Sequence, residues 1–419
     1  MSKTSNAPQI RFKDFTDTWE QQKFMGCINN VVDYRGKTPK KLGMNWSSEG
    51  FLALSALNVK DGYIDFELDA NYGNIELYNE WMKKDLSKGQ VIFTTEAPMG
   101  NVAQIPDDSK YILSQRVIAL EVVHEKITDD FLATLLKSPK VFDDLTSLAT
   151  GGTAKGVSQR NLSKLLVKIP KNIEEQKKIA KFFCTLNKAI TLHQRKYNQV
   201  VNLKKAMLEK MFPKDGSDIP EIRFKEFNME DINAWKKKNF GDMVDFFSGL
   251  TYTPNDVKKE GTLVLRSSNV KNGEIVSADN VFVDPEVVNS KNVQIGDVIV
   301  VVRNGSRDLI GKHAQIKKDM PNTVIGAFMT GIRSERPDFI SAILDTDIFD
   351  KEISKNMGAT INQITGKMFI DMNFVIPSEE EQIKIGTFFR KLDDLIMLYY
   401  QKLQKLKHIK KAMLEKMFV

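Results

Sequence analysis

Between Ile173 and Phe212, apolar residues recur in alternating steps of four and three, at Ile179, Phe183, Leu186, Ile190, Tyr197, Val200, Met207 and Met211. Between Ser378 and Phe418 they do so again, at Ile385, Phe389, Leu392, Ile396, Tyr399, Leu403, Leu406, Met413 and Met417. A period of about 3.5 residues predicts two long helices, each with a coiled-coil seam. No Pro or Gly interrupts the first, and Gly386 alone interrupts the second, at a cost of about 1 kcal/mol against Ala. Asn172 and Ser378 stand where N-caps belong, with Glu175 and Glu381 three residues later to complete capping boxes. His193 falls on the first seam where the second has Tyr399, and Lys204 and Lys410 break both seams at the same place. Neither helix can bury such a stripe alone. Its simplest partner is the other helix, antiparallel because each follows its own globular part.

The rest of the pattern is different. Short apolar runs predict strands at Gln90–Thr95, Arg116–Val123 and Gly296–Gly305, with turns at Asp61-Gly62 and Asn272-Gly273. Helical stretches are expected over Asp129–Leu148 and Asp338–Lys355. The fold class is therefore α/β in the mixed α+β sense.

Repetition organises these pieces. The nonapeptide "KKAMLEKMF" occurs at Lys204–Phe212 and again at Lys410–Phe418. "IPKNIEEQKKIAKFF" (Ile169–Phe183) resembles "IPSEEEQIKIGTFF" (Ile376–Phe389), and "APQIRFKDF" (Ala7–Phe15) resembles "IPEIRFKEF" (Ile219–Phe227). The chain reads as a duplication: globular domains over 1–170 and 221–377, spacer helices over 171–213 and 378–419, and a polar linker over 214–220. Seam packing is expected from Phe183, Leu186, Ile190, Tyr197 and Met207 on one helix. Phe389, Leu392, Ile396, Leu403 and Met413 supply it on the other. The expected architecture is two globular domains separated by a pair of long antiparallel helices.

Composition is that of a folded protein, 42% hydrophobic and 27% charged, and the formal charge of +7 suits an anionic partner. Cys27 and Cys184 stand apart and read as buried or half-buried thiols in a reducing compartment. With no apolar leader and no run long enough to span a bilayer, the chain is expected in the cytoplasm, without membrane. Catalytic signals are poor. Gly305–Lys312 has a phosphate-loop look, but its spacing is one residue too long and His313 stands where Ser or Thr would reach magnesium. The four histidines are scattered, and no catalytic, metal or cofactor-binding residue is expected in this chain.

Binding signals are better. Loops beside the strands combine planar donors with small polar residues, types that pair with base edges and hold phosphates. In the first half the candidates are Arg35, Lys37, Thr38, Thr95, Lys155, Ser158 and Arg160. In the second they are Tyr252, Arg303, Asn304, Ser306, Arg307 and Lys312. The bland alternative is that these are ordinary hydrated loops.

Two variable domains, each closed by an "IP…EQ…I…FF" segment that leads into a long helix with a near-identical end, resemble the specificity subunit (HsdS) of a Type I restriction-modification enzyme. The likeness spans nearly the whole chain. It includes "RGKTP" (Arg35–Pro39), "GGTAKGVSQRNL" (Gly151–Leu162) and "GATINQIT" (Gly358–Thr365). The second half departs from it where "SGLTYTP" (Ser248–Pro254) stands without a close counterpart of "RGKTP". The resemblance implies two target recognition domains reading a bipartite, asymmetric sequence in double-stranded DNA. It also implies helices that dock two methyltransferase subunits, two restriction–translocation subunits in the full complex, and no catalysis by this chain. S-adenosylmethionine would serve the methyltransferase subunits, and ATP with Mg2+ the restriction subunits. The rival reading is a duplicated coiled-coil scaffold without sequence-specific DNA contact.

Overall fold

The runs expected as strands are apolar throughout because both of their faces are covered. In Val91–Thr94, Val91 and Phe93 join a core with Trp19, Phe24 and Phe131, while Ile92 joins a second core with Leu54 and Trp81. Val298–Val301 repeats this division, with Val298 and Val300 in one cluster and Ile299 and Val301 in another. The computed structural model describes residues 7–68, 70–151, 155–214, 216–227, 235–357 and 362–419. Asp215 of the expected linker, Gly152–Ala154 of the "GGTAKG" loop and Gly358–Ile361 of "GATINQIT" lie outside them.

The chain forms two compact units. The first comprises Met1–His193 with Lys402–Val419, and the second comprises Gln194–Gln401. The first unit carries an antiparallel sheet in the order Ile28–Asp33, Val117–Val122, Val91–Thr94, Val102–Gln104. The second carries its counterpart in the order Asp245–Ser248, Met329–Arg333, Val298–Val301, His313–Gln315. In each, a two-stranded ribbon joins the entry and exit of the domain: Glu20–Lys23 with Leu166–Ile169, and Lys236–Asn239 with Asn373–Ile376. The Asn272-Gly273 turn has positive φ at both residues (53° and 73°), the conformation a two-residue hairpin demands. Each expected helical stretch is broken in two, into Asp129–Leu135 and Pro139–Leu148, and into Pro337–Leu344 and Asp347–Asn356. Ser138-Pro139 enforces the first break, and Thr346, capping the Phe349 amide, starts a new helix at the second.

Both long helices are present, at Ile173–Met211 and Glu379–Lys416. In the first unit Phe183 faces Phe418, and a cavity further along the helix pair is lined by Thr191 and Lys410. In the second, Phe212 faces Phe389, Lys204 meets Asp393 and Tyr197 meets Tyr400. Rising numbers on one helix meet falling numbers on the other, so the pairing within each unit is antiparallel. Phe183, Leu186, Phe389, Leu392 and Leu403 are buried, and Ile190, Tyr197, Met207, Ile396 and Met413 are half-buried. The ring that meets Tyr197 is Tyr400, one place from the expected seam residue. Lys204 is satisfied rather than disruptive: its ammonium bonds Asp345 at 2.7 Å and Asp393 at 2.5 Å. Gly386 marks a close approach, since a Cβ there would lie 2.6 Å from the Phe339 amide nitrogen. Cys27 is buried, which pushes its thiol pKa up, whereas Cys184 is exposed, contrary to expectation.

The repeated motifs meet at one joint in each unit. Arg11 Nε and Nη2 donate to the Glu175 carboxylate at 2.7 and 2.8 Å, and Arg223 does the same to Glu381 at 2.8 and 2.6 Å. The Ile10 amide donates to Lys416 O at 3.0 Å and the Ile222 amide to Lys210 O at 2.9 Å, binding carbonyls that the helix ends leave open. Phe418 then packs within 6.1 Å of Trp19, Phe131 and Phe183, and Phe212 within 6.0 Å of Trp235, Phe339 and Phe389. Asn172 Oδ1 and Ser378 Oγ do cap their helices, accepting from the Glu174 amide at 2.9 Å and the Glu381 amide at 3.5 Å, but the Glu175 and Glu381 carboxylates anchor arginine instead of closing the boxes. A bidentate charged bond outweighs a reach back to one main-chain amide.

Candidate nucleic-acid interface

In the first unit an open cleft of about 580 Å³ is lined by Asp33, Arg35, Thr95, Glu96, Ser158 and Gln159, among others. Three sequence candidates, Arg35, Thr95 and Ser158, therefore meet there. Their side chains are not equally available. Arg35 is locked on Asp33, donating from Nε at 2.9 Å and from Nη2 at 2.5 Å, and Gln159 Nε2 donates to the same carboxylate at 2.8 Å. Burial works to raise the Asp33 pKa, but Arg35 and Gln159 outweigh it and hold the carboxyl below its usual range. Thr95 is buried, with its hydroxyl donating to Arg116 O at 3.3 Å. Ser158 caps the turn that begins at Gln159. Lys155 and Arg160 are exposed on the same loop.

Lys37 and Thr38 do not line the cleft. Lys37 turns inward, donating to Trp81 O at 3.0 Å, and burial with the nearby Lys83 charge lowers its pKa. Thr38 accepts from the Lys41 amide and caps a short helical turn.

In the second unit, Arg303, Asn304, Ser306 and Arg307 form one loop. Asn304 Nδ2 donates to Ser267 Oγ at 3.2 Å, its Oδ1 accepts from the Ser306 amide, and Lys312 Nζ reaches Ser267 O at 3.5 Å. Arg303 is exposed, with its guanidinium carbon 5.2 Å from the centroid of the Phe328 ring. Tyr252 packs on Leu250, Val264, Val283 and Val324.

Below these side chains the two units share a main-chain frame. In the first, the Thr95 amide donates to Arg116 O at 2.8 Å and the Val157 amide to Thr95 O at 2.9 Å, and Glu96 bridges Gly156. In the second, the Val302 amide donates to Phe328 O at 3.0 Å and the Ile364 amide to Val302 O at 2.9 Å, and Arg303 bridges Gln363. Position by position, Glu96 corresponds to Arg303 and Arg116 to Phe328. Arg116 Nε lies 3.4 Å from Glu96 Oε1, and its φ of 64° is rare for a residue other than glycine. Sequence reading missed Glu96, Arg116, Gln159, Phe328 and Gln363. Arg116 and Phe328 each directly precede a strand, where periodicity is silent, and a positive φ leaves no trace in an Arg codon. Among the described residues, no group of three or more His, Cys, Asp or Glu side chains is placed to hold a metal ion.

A family profile described as "Type I restriction modification DNA specificity domain" matches this sequence twice, over residues 25–202 and 232–408. The chain belongs to that family. As a Type I specificity-family member it is 24% identical over 327 residues to the MjaVIII specificity subunit of Methanocaldococcus jannaschii, covering 75% of each chain. It is 28% identical over 195 residues to the EcoKI specificity subunit of Escherichia coli, covering 43% of this chain and 42% of that one. The crystal structure of an S subunit from M. genitalium matches the fold with a TM-score of 0.68 at 16% identity, covering 99% of both chains. The family's double match coincides with the two copies of the main-chain frame. No described helix is long and apolar enough to cross a membrane.

Proposed function

We propose that this chain is the DNA-reading, non-catalytic subunit of a Type I restriction-modification complex in the cytoplasm. Each unit reads one half of a bipartite, asymmetric target in double-stranded DNA. One observation carries this reading: a single frame is built twice, from the same main-chain bonds, with different side chains on it. A duplicated scaffold that served only to gather subunits would have no use for that difference. In this reading the helices dock two methyltransferase subunits, and two restriction–translocation subunits join them. S-adenosylmethionine serves the former, ATP and Mg2+ the latter, and this chain supplies no residue to either chemistry.

The side chains on each frame suit the task. Arginine reads guanine O6 and N7, a carboxylate accepts from cytosine N4, and exposed lysines and main-chain amides meet phosphates. Methylome sequencing of cells with and without the gene tests the proposal. One bipartite methylated motif should vanish on deletion and return on complementation. An unchanged methylome would favour the scaffold.

A further inference from the structure

Of the groups that rim the two frames, some are already committed. Arg35 is held by Asp33, and Asn304 by Ser267. Two corners are different. Arg116 and Glu96 are half-exposed, at 50% and 45%, and touch only at 3.4 Å, a distance and setting in which an ion pair contributes little. That contact does not account for holding a non-glycine residue at φ 64°. At the matching corner of the second unit, Phe328 leaves 55% of its surface in water with the Arg303 guanidinium above it. An exposed aromatic ring beside a cation is a surface suited to a partner.

Resting on the DNA-reading function above, we infer that these corner pairs are the base-discriminating element of each unit: Glu96 with Arg116 in the first, Arg303 with Phe328 in the second. The chemistry of each pair selects a target. Arg116 donates to O6 and N7 of a guanine while Glu96 accepts from the N4 amine of cytosine, so the first pair addresses a G·C base pair. In the second unit Arg303 takes a guanine, and the Phe328 ring meets the methyl group of an adjacent thymine. The same main-chain frame thereby reads different sequences because the side chains at its two corners differ. The left-handed backbone at Arg116 aims its side chain where an extended residue would not.

The test uses a deletion strain complemented with the full-length gene carrying Arg116→Gly, Glu96→Gln or Arg303→Ala, with methylomes sequenced. Glycine suits the positive φ at 116, so that variant removes the guanidinium without adding strain. Arg116→Gly and Glu96→Gln should relax one G·C position in one half of the motif and leave the other half intact. Arg303→Ala should relax a guanine in the other half alone. Discrimination at the affected position should fall on the order of tenfold to a hundredfold. Where cellular methylation is too weak to read, competition of the purified methyltransferase complex against duplexes substituted one base pair at a time gives the same readout. Its salt dependence should be unchanged, since a base contact and not a phosphate contact is lost. A motif unaltered by both arginine variants overturns the inference, as does relaxation at an A·T position or in both halves at once. If the wild-type gene yields no motif, the proposed function itself fails, which is a separate result.

Discussion

Arg223 shows how much one residue can hold. Its side chain is 9% exposed and that of its partner Glu381 1%, so removing the arginine would leave a carboxylate buried and uncompensated. Breaking such a pair costs about 3–5 kcal/mol. Arg223→Met should lower the unfolding free energy of the second unit by that order, and Arg11→Met should do the same to the first, read by denaturant-dependent hydrogen exchange of each unit. Equal exchange in variant and parent would show that the pair is ornamental. The sequence made both arginines visible as members of the similar segments Ala7–Phe15 and Ile219–Phe227 but not their use. Arg11 and Glu175 are 164 positions apart, whereas the capping reading of Glu175 needed only its neighbours. Local spacing is what a sequence displays, and a distant charge can override it. The same holds at the candidate interface. Arg35 looked like a free donor in its loop, yet Asp33, two residues before it, already occupies its fork.

At the scale of elements, the helix pair is where the two units differ in charge. In the second, His313 Nε2 lies 3.3 Å from Asp345 Oδ1, beside Lys204 and with Gly311 O at its other nitrogen. Burial alone would lower the His313 pKa, but the Asp345 hydrogen bond and charge outweigh it and raise the pKa above the ordinary 6.5. The same cluster holds the Asp345 carboxyl far below its usual range against the opposing effect of burial. The stability that His313 contributes is thus complete below pH 6.5 and is lost as pH rises through its raised folded value. The first unit has Val102 and Lys137 at the matching places, and burial and the Lys410 charge lower the Lys137 pKa. Raising pH from 6 to about 9 should therefore loosen the second unit alone, and His313→Asn should flatten that slope. Hydrogen exchange measured unit by unit decides it, and matching slopes in both units would refute the assignment. The helices, strands and turns were legible because each rests on period or on turn residues. The breaks at Ser138-Pro139 and before Asp347 fell within apolar patterns that run on regardless.

On the scale of the whole molecule, the repeated nonapeptide has a definite task. Each copy ends in aromatic and thioether side chains that complete the core of a unit: Met211 and Phe212 in the second, Leu414, Met417 and Phe418 in the first. The sequence showed that the copies were equal. Which core each one fills depends on antiparallel pairing, a property of the assembled fold. Phe418→Ala should cost about 3–5 kcal/mol and expose the amides of the first unit to exchange while sparing the second, and Phe212→Ala should do the reverse. Loss of protection in both units from either change would contradict this division. The placement of Phe418 also bears on synthesis. Domains generally fold in the order in which the ribosome makes them. Here the second unit is one unbroken stretch, Gln194–Gln401, while the first waits for Lys402–Val419. The part translated first is completed last, and until then the apolar seat of Phe418, with Trp19, Phe131 and Phe183, stands open. A chain that lacks Phe418 would leave that seat empty, and its first unit should be cut faster by added protease than that of the intact chain.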